Sequence, residues 1–234
     1  MNTLYVVMPA YNEEANIAAT VKAWYPVLEG KSEDSRLVIA DSGSSDNTHQ
    51  ILSDLMTEYP KLEILTDSDR QHGPKLIALY AHAIKRGADY IFQTDSDGQT
   101  DPAEFEAFWE ARVSHDIILG HRKVRGDGKS RALVEKVVCL LLRLYFRVKV
   151  PDANAPFRLM KASVVEKYLG RLPEDYNIPN IMLTTYFVHY KENVEFRVVS
   201  FKPRQGGKNS INIRKIFKIG WKALKDFHRF KKDM

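Results

Sequence analysis

The sequence predicts an α/β protein built on a largely parallel, doubly wound sheet over residues 1 to about 120, and three observations predict it. Short β-type runs alternate with helical segments of about a dozen residues. Three of those runs stop abruptly, at Pro9, Asp41 and Asp95, so in a parallel sheet their ends open onto one edge, where open α/β sheets bind ligands. Composition is that of an ordinary globular chain: 234 residues, 44% hydrophobic and 28% charged, with 10 Pro and 12 Gly. That is enough chain for one substantial core and too little bias for disorder or a fibrous repeat.

Taken in order, Leu4 to Met8 is the first β-type run, and Asn12 with Glu13 and Glu14 reads as the start of a helix carrying Ile17, Val21 and Trp24. Arg36 to Ala40 is the second run. It ends in Asp41-Ser42-Gly43-Ser44-Ser45-Asp46, whose Asp46 or Ser45 suits the cap of a helix with Ile51, Leu52 and Leu55. Leu62 to Leu65 is a short third strand, a helix runs from about Lys75 to Arg86 before Gly87, and Tyr90 to Thr94 delivers Asp95. After Ile117-Ile118-Leu119 the pattern changes. A polar loop from His121 to Ser130, with Arg122, Lys123, Arg125 and Lys129, reads either as a solvated connection or as a segment drawn to anionic ligands. A helix from Arg131 to Val148 follows, then strands at Phe157 to Met160 and Val194 to Phe201 around a helix near Ile178 to Tyr190.

The net charge of +5 is modest, but its distribution is not. From Lys202 onward eleven Lys or Arg face only Asp226 and Asp233, a basic tail on a slightly acidic body. Cys139 is the only cysteine, so no intrachain disulfide can form and a reducing, cytoplasmic setting is expected. The amino terminus lacks a charged leader and reads as a strand, and the apolar stretch from Val137 to Val148 is broken by Arg143 and Arg147, so no membrane span is expected.

Asp95-Ser96-Asp97-Gly98 carries the most chemical information. As four letters it is good turn composition. At the end of a strand, two carboxylates one residue apart also suit a hard cation shared with nucleotide phosphates, because Mg²⁺ and Mn²⁺ favour oxygen donors.

Three stretches taken together resemble the family-2 glycosyltransferases of GT-A fold: Val6-Val7-Met8-Pro9-Ala10-Tyr11-Asn12-Glu13-Glu14, then Asp41-Ser42-Gly43-Ser44-Ser45-Asp46, then Asp95 through Pro102. Asp152 to Leu159 and Arg204 to Ser210 resemble later motifs of the dolichyl- or polyprenyl-phosphate sugar synthase branch, so the likeness spans roughly residues 3 to 212. It implies a Rossmann-like, mixed, mainly parallel sheet flanked by helices over residues 1–210; residues 211–234 read from their own spacing as a basic amphipathic helix. It also implies that Pro9, Tyr11, Glu13, Asp41, Asp95 and Gln99 bind a nucleotide-diphosphate sugar. Asp97, with Asp95 and Gln99, would hold Mg²⁺ or Mn²⁺. Arg158 and Arg204 would join Asp97 in catalysis, and Lys208 and Ser210 would meet the acceptor and its phosphate; the basic loop offers Arg122 for the same task. Ser42 stands where such enzymes usually have a second acid, which leaves UDP and GDP both open.

The implied reaction inverts the anomeric carbon. A lipid phosphate acceptor is already anionic and needs no base, whereas a glycan hydroxyl does, and Glu174 or Asp175 could supply one or could be an exposed helix start. A polyprenyl phosphate is the leading acceptor. A glycan hydroxyl is the alternative, and a non-catalytic nucleotide-sugar or nucleic-acid binding module ranks below both, since no nucleic-acid motif accompanies the basic tail. From Ile213 the tail carries apolar residues at helical spacing with a cationic remainder. It reads either as an interfacial helix on an anionic membrane at its inner face or as a terminal helix packed on the domain.

Overall fold

The computed structural model describes residues 1–123, 129–203, 225–232 and 234. Seven strands form one sheet: β1 (Leu4–Ala10), β2 (Arg36–Asp41), β3 (Leu62–Leu65), β4 (Tyr90–Thr94), β5 (Ile117–His121), β6 (Phe157–Lys161) and β7 (Val194–Val198), in the order β3-β2-β1-β4-β6-β5-β7. Strands β1 to β4 pair in parallel, as do β5 and β7, while β6 runs antiparallel between β4 and β5. Because β6 opposes both neighbours, β4 and β5 point the same way. The carboxyl ends of β1, β2, β4, β5 and β7 therefore share one edge. This is the GT-A type of mixed sheet expected from the motifs.

Alternation along β1 divides the core, since successive side chains of a strand point to opposite faces. Tyr5 and Val7 join Leu76, Leu79 and Tyr80 of α3 (His72–Lys85) and Met182, Leu183 and Tyr186 of α7 (Pro179–His189) on one face. Leu4, Val6 and Met8 join Ile17, Val21 and Trp24 of α1 (Ile17–Trp24), Leu52 of α2 (Thr48–Leu55) and Phe105, Phe108 and Trp109 of α4 (Phe105–Ala111) on the other. Helices α5 (Lys129–Phe146) and α6 (Ala162–Leu169) complete the first layer with α8, residues 225–232.

The chain departs from the sequence expectation at four places. α1 opens at Ile17 and not near Asn12, because Asn12 takes a left-handed φ of 54° and its side-chain carbonyl accepts from Ser45 N at 2.8 Å. α4 and α6 were not anticipated: each has eight residues or fewer, too short for a clear period, and α6 follows β6 with no turn signal between them. β7 stops at Val198, short of Phe201. Glu174 and Asp175 lie exposed in the turn before α7, which itself begins at Pro179.

The tail splits. Residues 204–224 lie outside the described residues, and with them Arg204, Lys208, Ser210 and most of the expected amphipathic stripe. In α8, Phe227 and Phe230 are buried, against Phe146 and Tyr145 in one case and Tyr176 and Tyr186 in the other. These two members of the stripe pack on the domain. Among the described residues no helix is long and apolar enough to cross a membrane.

Candidate functional site

The loops after β1 and β2 are stitched together. Asn12 N donates to Ser44 Oγ at 3.0 Å, Glu13 N to Thr48 Oγ1 at 2.8 Å and Glu14 N to Asp46 Oδ2 at 3.2 Å, while Glu14 Oε2 accepts from Asn47 N at 3.1 Å. Asp46 Oδ1 accepts from Thr48 N at 3.0 Å, but the cap position of α2 is Asn47, one residue past the expected Asp46 or Ser45, and the Asn47 side chain makes no capping bond. Backbone groups at strand ends, which the sheet itself leaves unpaired, are thereby satisfied between loops and the edge is preorganised.

A cavity of about 350 Å³ opens beside β2, lined by Asp41, Ser42, Ser44, His49, Ser68 and Arg70. Asp41 is buried, accepts from Ser44 Oγ and lies 3.3 Å from His49 Nδ1. Ser42, in the place of the second acid, donates to Thr66 O at 2.8 Å and sits 2.7 Å from Ser68 Oγ, so this wall of the cavity presents hydroxyls. Gly43 has a φ of 75°, and a Cβ there would come within 2.6 Å of the Arg70 side chain.

Lys75 of α3 reaches the end of β1. Its side chain is 1% exposed, Nζ donates to Ala10 O at the end of β1, and the ammonium stands 5.4 Å from the centre of the Tyr11 ring, which is itself 43% exposed. Burial pulls the Lys75 pKa from 10.5 to about 8, with Asp41 and Asp69 pulling the other way. In the sequence it is one lysine at the start of an expected helix. Its signal was a lysine one turn into a helix that begins just past a strand-end loop.

Ser96, between the two acids, is buried. Its Oγ donates to Pro9 O at 2.8 Å and its carbonyl accepts from Thr20 Oγ1 at 3.2 Å, which fixes the loop that carries Asp95 and Asp97 against β1 and α1. Asp95 accepts from Gln93 Nε2 at 3.3 Å and faces His72 Nε2 at 3.5 Å. Asp97 Oδ1 accepts from Gln99 N at 3.1 Å. Both acids are partly exposed at the sheet edge. Among the described residues no three His, Cys, Asp or Glu side chains form a metal cage. Two carboxylates at an open edge suit a hard cation that completes its shell with substrate oxygens, and Asp95 and Asp97 would fit Mg²⁺ or Mn²⁺ in that way.

The side chains of four expected site residues are engaged by the protein itself. The Glu13 carboxylate is buried and accepts from Asn16 Nδ2 at 2.9 Å, holding the approach to α1. Gln99 is buried, its amide donating to Lys202 O while Lys202 N donates to Gln99 O, both at 2.8 Å. That clasp, with the ion pair of Lys202 and Asp101 at 2.7 Å, pins the segment leading toward Arg204 beside the acidic loop. Arg122 is not left for a phosphate: it forms a two-pronged pair with Asp152 at 2.8 and 2.9 Å and approaches Glu135 at 3.6 Å.

Arg158 differs most. It is the second residue of β6, in register with Gln93 and Leu119 of the flanking strands, and because β6 is antiparallel this places it one residue from the ligand edge with its side chain buried. It is 1% exposed, Nη1 donates to Asn180 O at 3.2 Å, Nη2 donates to Thr184 Oγ1, and Nε meets no acceptor. From there a buried polar chain runs toward the edge. Tyr80 donates to Asn180 Oδ1 at 2.7 Å, Asn180 Nδ2 donates to Gln93 Oε1 at 3.0 Å, and Gln93 reaches Asp95. That chain links the Arg158 guanidinium to Asp95 through Asn180 and Gln93.

The fold and the ordered strand-end loops define a glycosyltransferase, and the comparison with known families gives the same class: the model of "Glycosyl transferase family 2" matches residues 5–169, and the chain belongs to that family. An undecaprenyl-phosphate mannosyltransferase of Micrococcus luteus is 25% identical over 166 residues, 68% of this chain and 66% of that protein. An undecaprenyl-phosphate 4-deoxy-4-formamido-L-arabinose transferase of Pseudomonas fluorescens is 22% identical over 166 residues, 70% of this chain and 48% of that protein. The chain thus matches about half to two thirds of the length of these relatives. Among solved structures, glucosyl-3-phosphoglycerate synthase from Mycobacterium tuberculosis, in complex with Mn²⁺, UDP-glucose and phosphoglyceric acid, superposes with a TM-score of 0.72 at 16% identity, over 97% of this chain and 80% of that one.

Proposed function

We propose that this glycosyltransferase moves a sugar from a nucleotide-diphosphate donor, UDP- or GDP-linked, to a polyprenyl phosphate, with inversion and with Mg²⁺ or Mn²⁺ bound, at the cytoplasmic face of a membrane. The observation that carries the reading is the meeting at one sheet edge of the Asp41 cavity, the buried Lys75 ammonium and the Asp95-Asp97 pair. The relatives named as undecaprenyl-phosphate sugar transferases support the acceptor. The Mn²⁺ and UDP-glucose in the fold neighbour support the donor.

In this reading the hydroxyl wall of Ser42 and Ser68 and the Asp41 carboxylate receive the base and ribose, and Tyr11 covers the nucleotide from the open side. Lys75 lends fixed positive charge beneath it. Asp97 and Asp95 would hold the cation, which when bound neutralises the departing diphosphate as a Lewis acid. The acceptor phosphate is already anionic, so its oxygen attacks the anomeric carbon with no proton to remove. Glu174 and Asp175 are then bystanders in their turn. Arg204, Lys208 and Ser210 remain assigned by motif to the phosphates.

Radiolabelled UDP- and GDP-sugars, Mn²⁺ and undecaprenyl phosphate should give organic-extractable label. Asp97→Asn should lower that turnover by about a thousandfold, the scale of losing an electrostatic group at the reacting charge, with the fold retained. Label that stays aqueous with every donor overturns the acceptor. Transfer to a glycan that disappears in Glu174→Ala or Asp175→Ala would establish the hydroxyl alternative.

A further inference from the structure

We propose that the outer face of α5 is a docking surface for an anionic lipid bilayer. Of the ten large apolar side chains exposed among the described residues, five belong to this one helix: Leu133 (64%), Val134 (36%), Val137 (49%), Leu140 (55%) and Leu144 (65%). At about 100° per residue, positions 133, 137, 140 and 144 fall within an arc of about 60°. They form a continuous stripe three turns long, where a globular surface usually scatters such residues singly.

The rim of the stripe is cationic. Lys136 and Arg143 lie along one edge, and Arg147 and Lys149 are exposed just past the helix end. Glu135 is the only acid in α5, and it is turned inward to accept from Ala153 N at 2.8 Å and to face Arg122. The exposed face therefore presents apolar and basic groups with no exposed acid among them.

Core packing does not account for the stripe, because the opposite side of α5 does that work. Leu142 and Phe146 are buried there, and Phe227 of α8 packs on Phe146 and Tyr145. A second copy of the chain is disfavoured by charge: a self-complementary contact would bring two cationic rims together. An anionic bilayer matches both features, apolar side chains entering the acyl boundary and cations meeting phosphates.

Location gives the face its meaning. Glu135 ties the second turn of α5 to Arg122 at the carboxyl end of β5, and that end shares the sheet edge with Asp95 and Asp97. A bilayer lying on α5 therefore passes beside the candidate site. This deepens the polyprenyl-phosphate reading and rests on it for its purpose. Vesicle binding can nevertheless be measured with neither donor nor acceptor present, so the two can fail separately.

The test is co-sedimentation of the full chain with vesicles of equal parts phosphatidylglycerol and phosphatidylcholine, and with phosphatidylcholine alone. Binding to the anionic vesicles should be at least tenfold stronger and should weaken in high salt. Leu140→Glu and Leu144→Glu should each remove most of it, and Lys136→Glu with Arg143→Glu should remove its salt dependence. All variants should keep UDP binding by calorimetry, which shows that they fold. Wild-type protein that ignores anionic vesicles overturns the proposal. So do α5 variants that bind like wild type, since the basic segment 204–224 would then carry the contact. A dimer that Leu140→Glu dissociates overturns it in favour of an interface between copies.

Discussion

Lys75 is the residue whose chemistry depends most on where the fold puts it. An ammonium at about pKa 8 is still charged at neutral pH and is lost over the next units. Between about pH 8 and 10.5 the unfolded chain binds a proton at this position that the native chain has released. The contribution of Lys75 to stability therefore rises with pH across that window and is least favourable below it, where the buried group must stay charged. In the proposed function nucleotide binding uses that charge and should follow the opposite sense. Calorimetry with UDP and Mn²⁺ should show affinity falling roughly tenfold as pH rises through this range, the size of one charge-assisted contact. Lys75→Arg should flatten that profile, and Lys75→Met should be weak at every pH. The Asp95-Asp97 pair was legible in sequence because a strand period ran straight into it. Lys75 and His72 were not, since what makes them interesting is the approach of α3 to the ends of β1 and β4, which no local pattern encodes.

At the scale of elements, α3 is seated by a glycine. A Cβ on Gly73 would lie 2.3 Å from Tyr176 O and 2.5 Å from the Asn177 Cα, so the first turn of α3 touches the backbone before α7. Gly73→Ala should cost about 1–3 kcal/mol in urea denaturation, as overpacking does. It should also reduce nucleotide affinity, because the same turn carries His72 and Lys75. The joint between β5, α5 and the 152 loop rests on Arg122 and Asp152. Burial alone would raise the Asp152 pKa, but its bonds from Arg122 hold it below the ordinary carboxylate value. The stability it contributes is thus present above the ordinary range and lost as pH falls through the depressed value. Asp152→Ala should destabilise the chain by about 3–5 kcal/mol, measured by chemical denaturation, as removal of one partner from a buried pair does. Sequence marked Arg122 as a phosphate ligand because it stands among basic loop residues. Its acids are 13 and 30 positions away, so the pairing was invisible until β5, α5 and the 152 loop came together.

For the whole molecule, ligand and fold should be linked through the shared sheet edge. UDP with Mn²⁺ at about 100 times its dissociation constant should add about 2.7 kcal/mol of stability, seen as a raised melting temperature. Asp97→Asn should lose the Mn²⁺-dependent part of that rise while its melting temperature without ligand stays near wild type. The sequence by itself determined the alternation of strands and helices, the three polar strand ends and the family. Those features are local: periodicity and abrupt polar stops are written in consecutive residues. Tertiary structure alone decided where the cations around the sheet edge stand. Arg122 is paired with Asp152, Arg158 is buried one residue from the edge on the antiparallel β6, and Lys75 is delivered to the end of β1 by α3. It also decided that α5, and not Phe227 or Phe230, leaves an apolar stripe in the open. A charge or an apolar side chain acts according to what stands within a few ångströms of it, and those neighbours are set by packing between segments distant in the chain.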